Sequence, residues 1–245
     1  MYARFVSLRL VPGAAPAFVE LYRDRIAPTL AVTPGCLAAV ALAHSLHERE
    51  ILSLTLWRSG GDADAYDREG RFGRLLNETE RLFPAPSGSA ELGGLEEDLV
   101  VEGYSGALLL PGELADALRE VRFARTIAVQ VEPSRAEEFD RRYRADVLAA
   151  SGDVPGLRSV FLLHGQDRPN RAVGLSFWES EDLAARYELS GRFETLAEHL
   201  GETLSPLYRW RAAVAGGPAG GPDGEPPVAA PFEVAGYRIL FVRLF

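Results

Sequence analysis

Apolar and polar positions alternate from Ala3 to Val11, with Phe5, Ser7 and Arg9 on one face and Val6, Leu8 and Leu10 on the other. A period of two predicts a strand, and Pro12-Gly13 ends it. The period then lengthens. Phe18, Tyr22 and Ile26 recur every fourth residue, placing one apolar helical stripe against a sheet. After the Pro34-Gly35 turn come strands at Leu37–Leu46 and Glu50–Trp57, then a helix N-capped by Ser59 with Ala63 and Tyr66 facing inward. Gly70 breaks that helix, and Phe72, Leu75 and Leu76 resume its apolar face. A further strand is expected at Leu99–Leu110.

The whole pattern returns 121 residues later. Leu52–Phe72 reappears as Val173–Phe193, so that Trp57, Tyr66, Gly70, Arg71 and Phe72 become Trp178, Tyr187, Gly191, Arg192 and Phe193. Between Arg4 and Leu75 there are 18 identities in 72 ungapped pairs, where unrelated segments would give roughly 5. Copy two is predicted to run through strand Ala124–Val131, a helix opened by a capping box at Ser134–Glu137, strands Ser159–His164 and Ala172–Trp178, a broken helix from Ser180, and a last strand at Leu207–Val214.

Strand, helix, strand, strand, helix, strand is the split order of a ferredoxin-like unit. One such sheet is covered by helices on one face only and needs apolar cover on the other. The fold class expected is therefore α+β: two ferredoxin-like repeats forming an intramolecular dimeric α/β-barrel, with a cavity or a core between the sheets. The divisions are residues 1–111 and 123–214 for the repeats, 112–122 for a connector, 215–231 for a Gly/Pro-rich linker and 232–245 for an added C-terminal strand. That strand, apolar from Tyr237 to Phe245, is expected at an edge of the same barrel or on a neighbouring molecule, where it would form a homodimer.

Composition removes several functions. The net charge of −9 argues against nucleic acid and against an anionic membrane surface. All 26 basic residues are arginine, which excludes a Schiff-base or phosphate-loop lysine. No stretch is apolar for long enough to span a bilayer, the start shows no export signal, and the single Cys36 suits a reducing compartment, so a cytoplasmic location is expected.

The block of apolar strand, tryptophan, Ser, acidic residues, Ala, tyrosine and Gly-Arg-Phe, with Pro34-Gly35 and Pro155-Gly156, resembles the antibiotic biosynthesis monooxygenase family in tandem. The resemblance implies a single-chain pseudo-dimer with up to two pockets, each between a sheet and its own helices. Haem-degrading members carry an axial histidine, a strand asparagine and a ruffling tryptophan. The matching positions here are Leu76 and Ala197, Val6 and Ile127, and Tyr66 and Tyr187, so no cofactor is expected and haem is disfavoured.

Cofactor-free members oxidise polycyclic phenols. Their tryptophan matches Trp57 and Trp178, and their histidine matches His164 in copy two, with Ala43 and the adjacent His44 in copy one. Their asparagine, tyrosine and arginine fall on Ser53 and Gly174, Ala63 and Ala184, and Asn77 and Glu198, and all depart. The resemblance thus implies a cofactor-independent monooxygenase acting on a flat aromatic ligand, with His164 and Trp178 as catalytic candidates; Tyr187, one helical turn past Ala184 and facing the sheet, joins them as a phenol that could orient an oxygen-bearing substrate. Trp57, Tyr66, His44, Arg71 and Arg192 are the binding candidates.

Each of these has a plainer reading. The tryptophans would close the barrel end, the tyrosines would satisfy a buried hydrogen bond, His164 would be a surface residue and the arginines would cap helix ends. His44 and His47 form a possible metal pair, but no carboxylate or third histidine is seen to complete it, and no metal is expected. The rival functions are a non-catalytic small-molecule sensor and haem-linked or isomerase chemistry on the same fold.

Overall fold

The computed structural model describes residues 1–84, 98–110, 113–151, 153–207 and 232–245. Copy one contributes β1 (Tyr2–Arg9), β2 (Cys36–His44), β3 (Glu50–Trp57) and β4 (Leu99–Leu108). Copy two contributes β5 (Phe123–Gln130), β6 (Leu157–Gly165), β7 (Arg171–Trp178) and β8 (Glu233–Leu244). All pairings are antiparallel, and the strands close into one barrel in the order β1-β3-β2-β8-β5-β7-β6-β4.

The C-terminal strand differs from expectation. β8 is not an edge addition: it pairs β5 of its own copy through Glu233–Arg238 and β2 of the other copy through Tyr237–Leu244. β4 does the same in mirror fashion, pairing β1 and β6. β8 therefore fills the fourth-strand place of copy two, within the barrel and not on a second molecule. The strand expected at Leu207–Val214 lies, from residue 208 on, outside the described residues, as does the linker at 215–231.

Side-chain alternation sorts the strands into two cores. Phe5, Val40, Leu54 and Leu56 point inward and meet Phe161, Leu163, Leu175 and Phe177 from the other repeat. The space between the sheets is therefore a packed core holding both copies together, not a ligand chamber. The outward residues of each sheet are covered by that copy's helices. In copy one these are α1 (Ala15–Leu21), a π-helical turn at Tyr22–Ile26, α2 (Ala27–Ala31), α3 (Gly60–Arg68) and α4 (Arg71–Thr79). A short α5 (Leu114–Ala117) leads to copy two, with α6 (Ala136–Ser151), α7 (Glu181–Leu189) and α8 (Arg192–Gly201).

The local signals explain the joints. Ser59 and Ser180 Oγ accept from the backbone N–H groups of Asp62 and Leu183 at 3.2 and 3.3 Å, capping α3 and α7. Gly70 and Gly191 take φ of 67° and 75° at the two helix breaks. The capping box expected at Ser134 is replaced by a 3-10 turn, Pro133–Arg135, and α6 begins at Ala136. Gly35 has φ of 80°, and a Cβ there would strike the Asp62 side chain. Gly35→Ala is expected to lower stability by about 1–2 kcal/mol in urea unfolding.

Candidate functional site

The outward face of β1 and β3 carries an uncommon mixture for a helix-covered sheet: Arg4, Val6 and Leu8 beside Ser53 and Thr55. Helix residues Phe18, Ile26, Leu30, Tyr66, Phe72, Leu75, Leu76 and Thr79 complete a cavity of about 60 Å3. Its walls are mostly apolar, and its polar groups are few and identifiable. Tyr66 is buried and stacks at a tilt on Trp57, with centroids 5.3 Å apart, and on Phe72 at 6.3 Å. Burial pushes the Tyr66 phenol well above its usual range, so it stays neutral and can donate but not serve as a base.

Trp57 is fully buried and does not line the cavity; its Nε1–H donates to Thr55 Oγ1 at 2.8 Å, and Thr55 does line it. Tyr22, buried on the π-helical turn, places its hydroxyl 3.1 Å from Ser53 Oγ. The π-helical turn is local to copy one. Extra residues in a turn displace the helix register and often mark a functional segment, whereas the matching stretch of α6 runs as a regular α-helix.

Arg4 was not among the candidates taken from the sequence. It lies mid-strand and is only 4% exposed. Its Nη1 and Nη2 donate to Asp67 Oδ1 and Oδ2 at 2.7 and 2.5 Å, Nη2 also approaches Ala63 O at 3.4 Å, and Nε has no hydrogen-bond partner. Copy two repeats the device: Arg125 pairs Glu188 Oε1 at 2.8 Å, approaches Ala184 O at 3.3 Å, and its Nε is likewise unpartnered. The signal was present, because Arg4 and Arg125 are an identical pair of the repeat and interrupt otherwise apolar strand faces.

The copies differ in the space around this arginine. In copy two Gly174 replaces Ser53, and a Cβ at Gly174 would strike the hydroxyl of Tyr143, the counterpart of Tyr22. The Tyr143 hydroxyl thus reaches the β7 backbone at Gly174, where in copy one the Tyr22 hydroxyl meets the Ser53 side chain. The copy-two hollows lie farther out: one of about 340 Å3 bounded by Asp146, Tyr187, Arg192 and His199, and one of about 320 Å3 sharing Asp153, Tyr187 and Arg192. Arg125 borders neither.

The other candidates fall as follows. Trp178 is buried, donates Nε1–H to Ser176 Oγ at 2.9 Å and stacks on Tyr187 at 5.5 Å. His164 is not near them. It pairs with Ala172 while Trp178 pairs with Leu157, so six strand residues, about 20 Å, separate the two. His164 Nε2 instead stands 3.1 Å from Asp140 Oδ1 of α6, an ion-pair approach without hydrogen-bond alignment. Arg71 Nη1 donates to Thr33 Oγ1 at 3.3 Å and Arg192 Nη1 to Asp153 O at 3.2 Å, so both tie the helix break to the loop before the Pro-Gly turn.

His44 lies at the opposite end of the sheet from Trp57, beside a hollow of about 180 Å3 shared with Arg9, Glu50, Asp98 and Tyr237. The expectation that no carboxylate joins His44 and His47 is corrected by the fold: Glu50 brings its oxygen within 4.8 Å of both. The arrangement is nevertheless a poor ligand set. His44 Nδ1 accepts from the N–H groups of Leu46 and His47 at 3.1 and 3.2 Å. The neutral ring must then carry its proton on Nε2, leaving neither nitrogen a free lone pair.

Burial chiefly, and His47 secondly, lower the His44 pKa below 6.5. The fold therefore prefers the neutral ring, and this contribution is complete above pH 6.5 and is lost as pH falls through the lowered value. His44→Asn, which keeps an acceptor but does not titrate, is expected to flatten the fall in melting temperature as the pH drops below 6.5.

Fold and cavity together define a class: a single-chain α+β barrel of two ferredoxin-like repeats, with a pocket between sheet and helices. The sequence model of the antibiotic biosynthesis monooxygenase family matches residues 1–76 and again 122–199, and the chain belongs to that family. Among solved structures, it is similar to a candidate monooxygenase from Fusobacterium nucleatum (9% identity, 99% of this chain and 94% of that one, TM-score 0.67). A candidate monooxygenase from Lactobacillus acidophilus is similar to the same degree (9%, 99% and 95%, 0.66). An anthrone oxidase-like protein follows (12%, 99% and 92%, 0.57). At these identities the likeness is one of fold. Among curated proteins none matches the chain. Among the described residues no helix is long and apolar enough to cross a membrane.

Proposed function

We propose that the protein is a monooxygenase that oxidises a flat phenolic small molecule with dioxygen in the cavity of copy one, without a resident cofactor. The observation that carries this reading is the apolar cavity itself, walled by Phe18, Leu30, Phe72 and Leu75 and provided with a few fixed donors, within a chain of this family. Its lining holds no histidine, cysteine or methionine, and burial keeps the Tyr66 phenol protonated, so the donor set fits neither a haem nor a transition metal well. The family resemblance pointed to copy two through His164, but the open volume beside a buried polar group favours copy one.

For an anthrone the balance is simple. The methylene carbon loses two hydrogens and gains one oxygen atom as a carbonyl, and the second oxygen atom leaves with those hydrogens as water. The protein's part is to exclude water and hold the electron-rich ring system against oxygen. A space of about 60 Å3 holds water molecules and not three fused rings, so binding requires the covering helices to move away from the sheet.

Oxygen consumption with anthrone tests the reading: uptake matched by anthraquinone supports it, and tight binding without uptake leaves a sensor. Leu76→Trp, which fills the cavity from α4, is expected to reduce turnover at least about tenfold with little change in melting temperature. Equal turnover in that variant would move the reaction elsewhere.

A further inference from the structure

We infer that Arg4 Nε is the anchor for an ionised oxygen on the ligand of copy one, so that the cavity selects aromatic anions of the phenolate or enolate kind over neutral aromatics. The inference rests on the copy-one cavity as the binding site, but not on the oxidation. A guanidinium has five N–H donors in a rigid fork. Asp67 takes Nη1 and Nη2 side by side and Ala63 O shares Nη2, which fixes the plane of the group; Nε–H has no aligned hydrogen-bond partner, and the Tyr2 hydroxyl is the neutral polar group beside the guanidinium. Arg4 borders the open space.

The charge balance points the same way. Asp67 has 42% of its side chain exposed, against 5% for Arg4. Water therefore screens the carboxylate more than the guanidinium, and a net positive potential remains on the buried side. The other neighbours do not cancel it. Tyr66 is neutral, Tyr2, next along the same strand face, has its phenol pKa raised by burial and is neutral too, and Ser53, Thr55 and Thr79 carry no charge. Phe72 lies with its ring 5.6 Å from Arg4 Cζ, leaving the fork's edge for a ligand oxygen.

Copy two serves as an internal comparison. Arg125 pairs with the corresponding Glu188 and Ala184 O and has the same unpartnered Nε, but it lines neither of the two hollows beside Tyr187. Both Nε atoms are buried, and Arg4 is the one that lines the cavity described here.

The test uses the full chain and 2-naphthol, whose absorbance reports ionisation, with naphthalene as the uncharged comparison. In the wild type, bound 2-naphthol is expected to ionise at least about one pH unit lower than free 2-naphthol, as for an acid placed beside a buried guanidinium. Arg4→Met should abolish the shift and equalise affinity for the two probes, while Arg125→Met should leave both unchanged. Asp67→Asn, which frees the guanidinium of its competitor, should enlarge the shift, and it decides the matter if Arg4→Met does not fold.

A wild-type shift that survives Arg4→Met, or is lost equally with Arg125→Met, overturns the anchor. So does binding with no shift, or an Asp67→Asn variant with a smaller one. Failure of the wild type to bind 2-naphthol, or binding undisturbed by Leu76→Trp, would instead sink the cavity reading. A shift without oxygen uptake on anthrone would leave the anchor standing and remove the oxidation.

Discussion

A chain ending before Pro231 is expected to lose its cooperative thermal transition altogether. Such a truncation removes β8, which lies between β2 and β5 and is one of the two places where the repeats are joined by backbone hydrogen bonds. Val40 and Val242 face each other across that ladder, as do Ala124 and Tyr237. Without it two strand edges are bare and the shared interior of Phe161, Leu175 and Phe177 is open to water along one side. Net stability of a domain is about 5–15 kcal/mol, which a loss of this size exceeds. Circular dichroism melting and binding of a hydrophobic dye measure it. A truncated chain melting cooperatively within about 5 °C of the full one would show that the barrel closes without its last strand.

The second large effect is expected at the tryptophans. Trp57 is 0% exposed and Trp178 2%, and each ties its indole N–H to a hydroxyl two residues back on its own strand. Replacing either by alanine leaves a large void and should cost about 3–5 kcal/mol, which for a chain of this length lowers the melting temperature by roughly 6–20 °C. Phenylalanine at the same positions should restore much of it. The diagnostic measurement is turnover below the melting transition. For Trp178→Phe it should stay near wild type, because Trp178 lies in the copy-two cluster with Phe123, Val154 and Ala184, away from the open cavity. A large loss of turnover in folded Trp178→Phe would return catalysis to copy two.

Much of the fold could be read from the chain because its signals are local and doubled. Ser59 and Ser180 cap helices, Gly70 and Gly191 break them, and Pro34-Gly35 and Pro155-Gly156 turn with left-handed glycines, each as a pair. The site was less legible. His164 and Trp178 belong to neighbouring strands, and a motif cannot reveal that antiparallel register sets them at opposite ends. Glu50 meets His44 and His47 only because the hairpin folds back. Arg4 looked like one charge on an alternating strand, and its burial depends on Asp67 arriving from α3, 63 residues on.

By itself, then, the sequence determined the two repeats, their order of strands and helices, and the apolar faces that must find each other, since these follow from periodicity and turn chemistry within short windows. Tertiary structure decided what depends on distant segments sharing space. It set β8 inside the barrel, filled the barrel with side chains, brought the Tyr143 hydroxyl onto Gly174, and placed a cavity beside Arg4. Volume and the partners of a buried charge are properties of packing, and no single stretch of chain carries them.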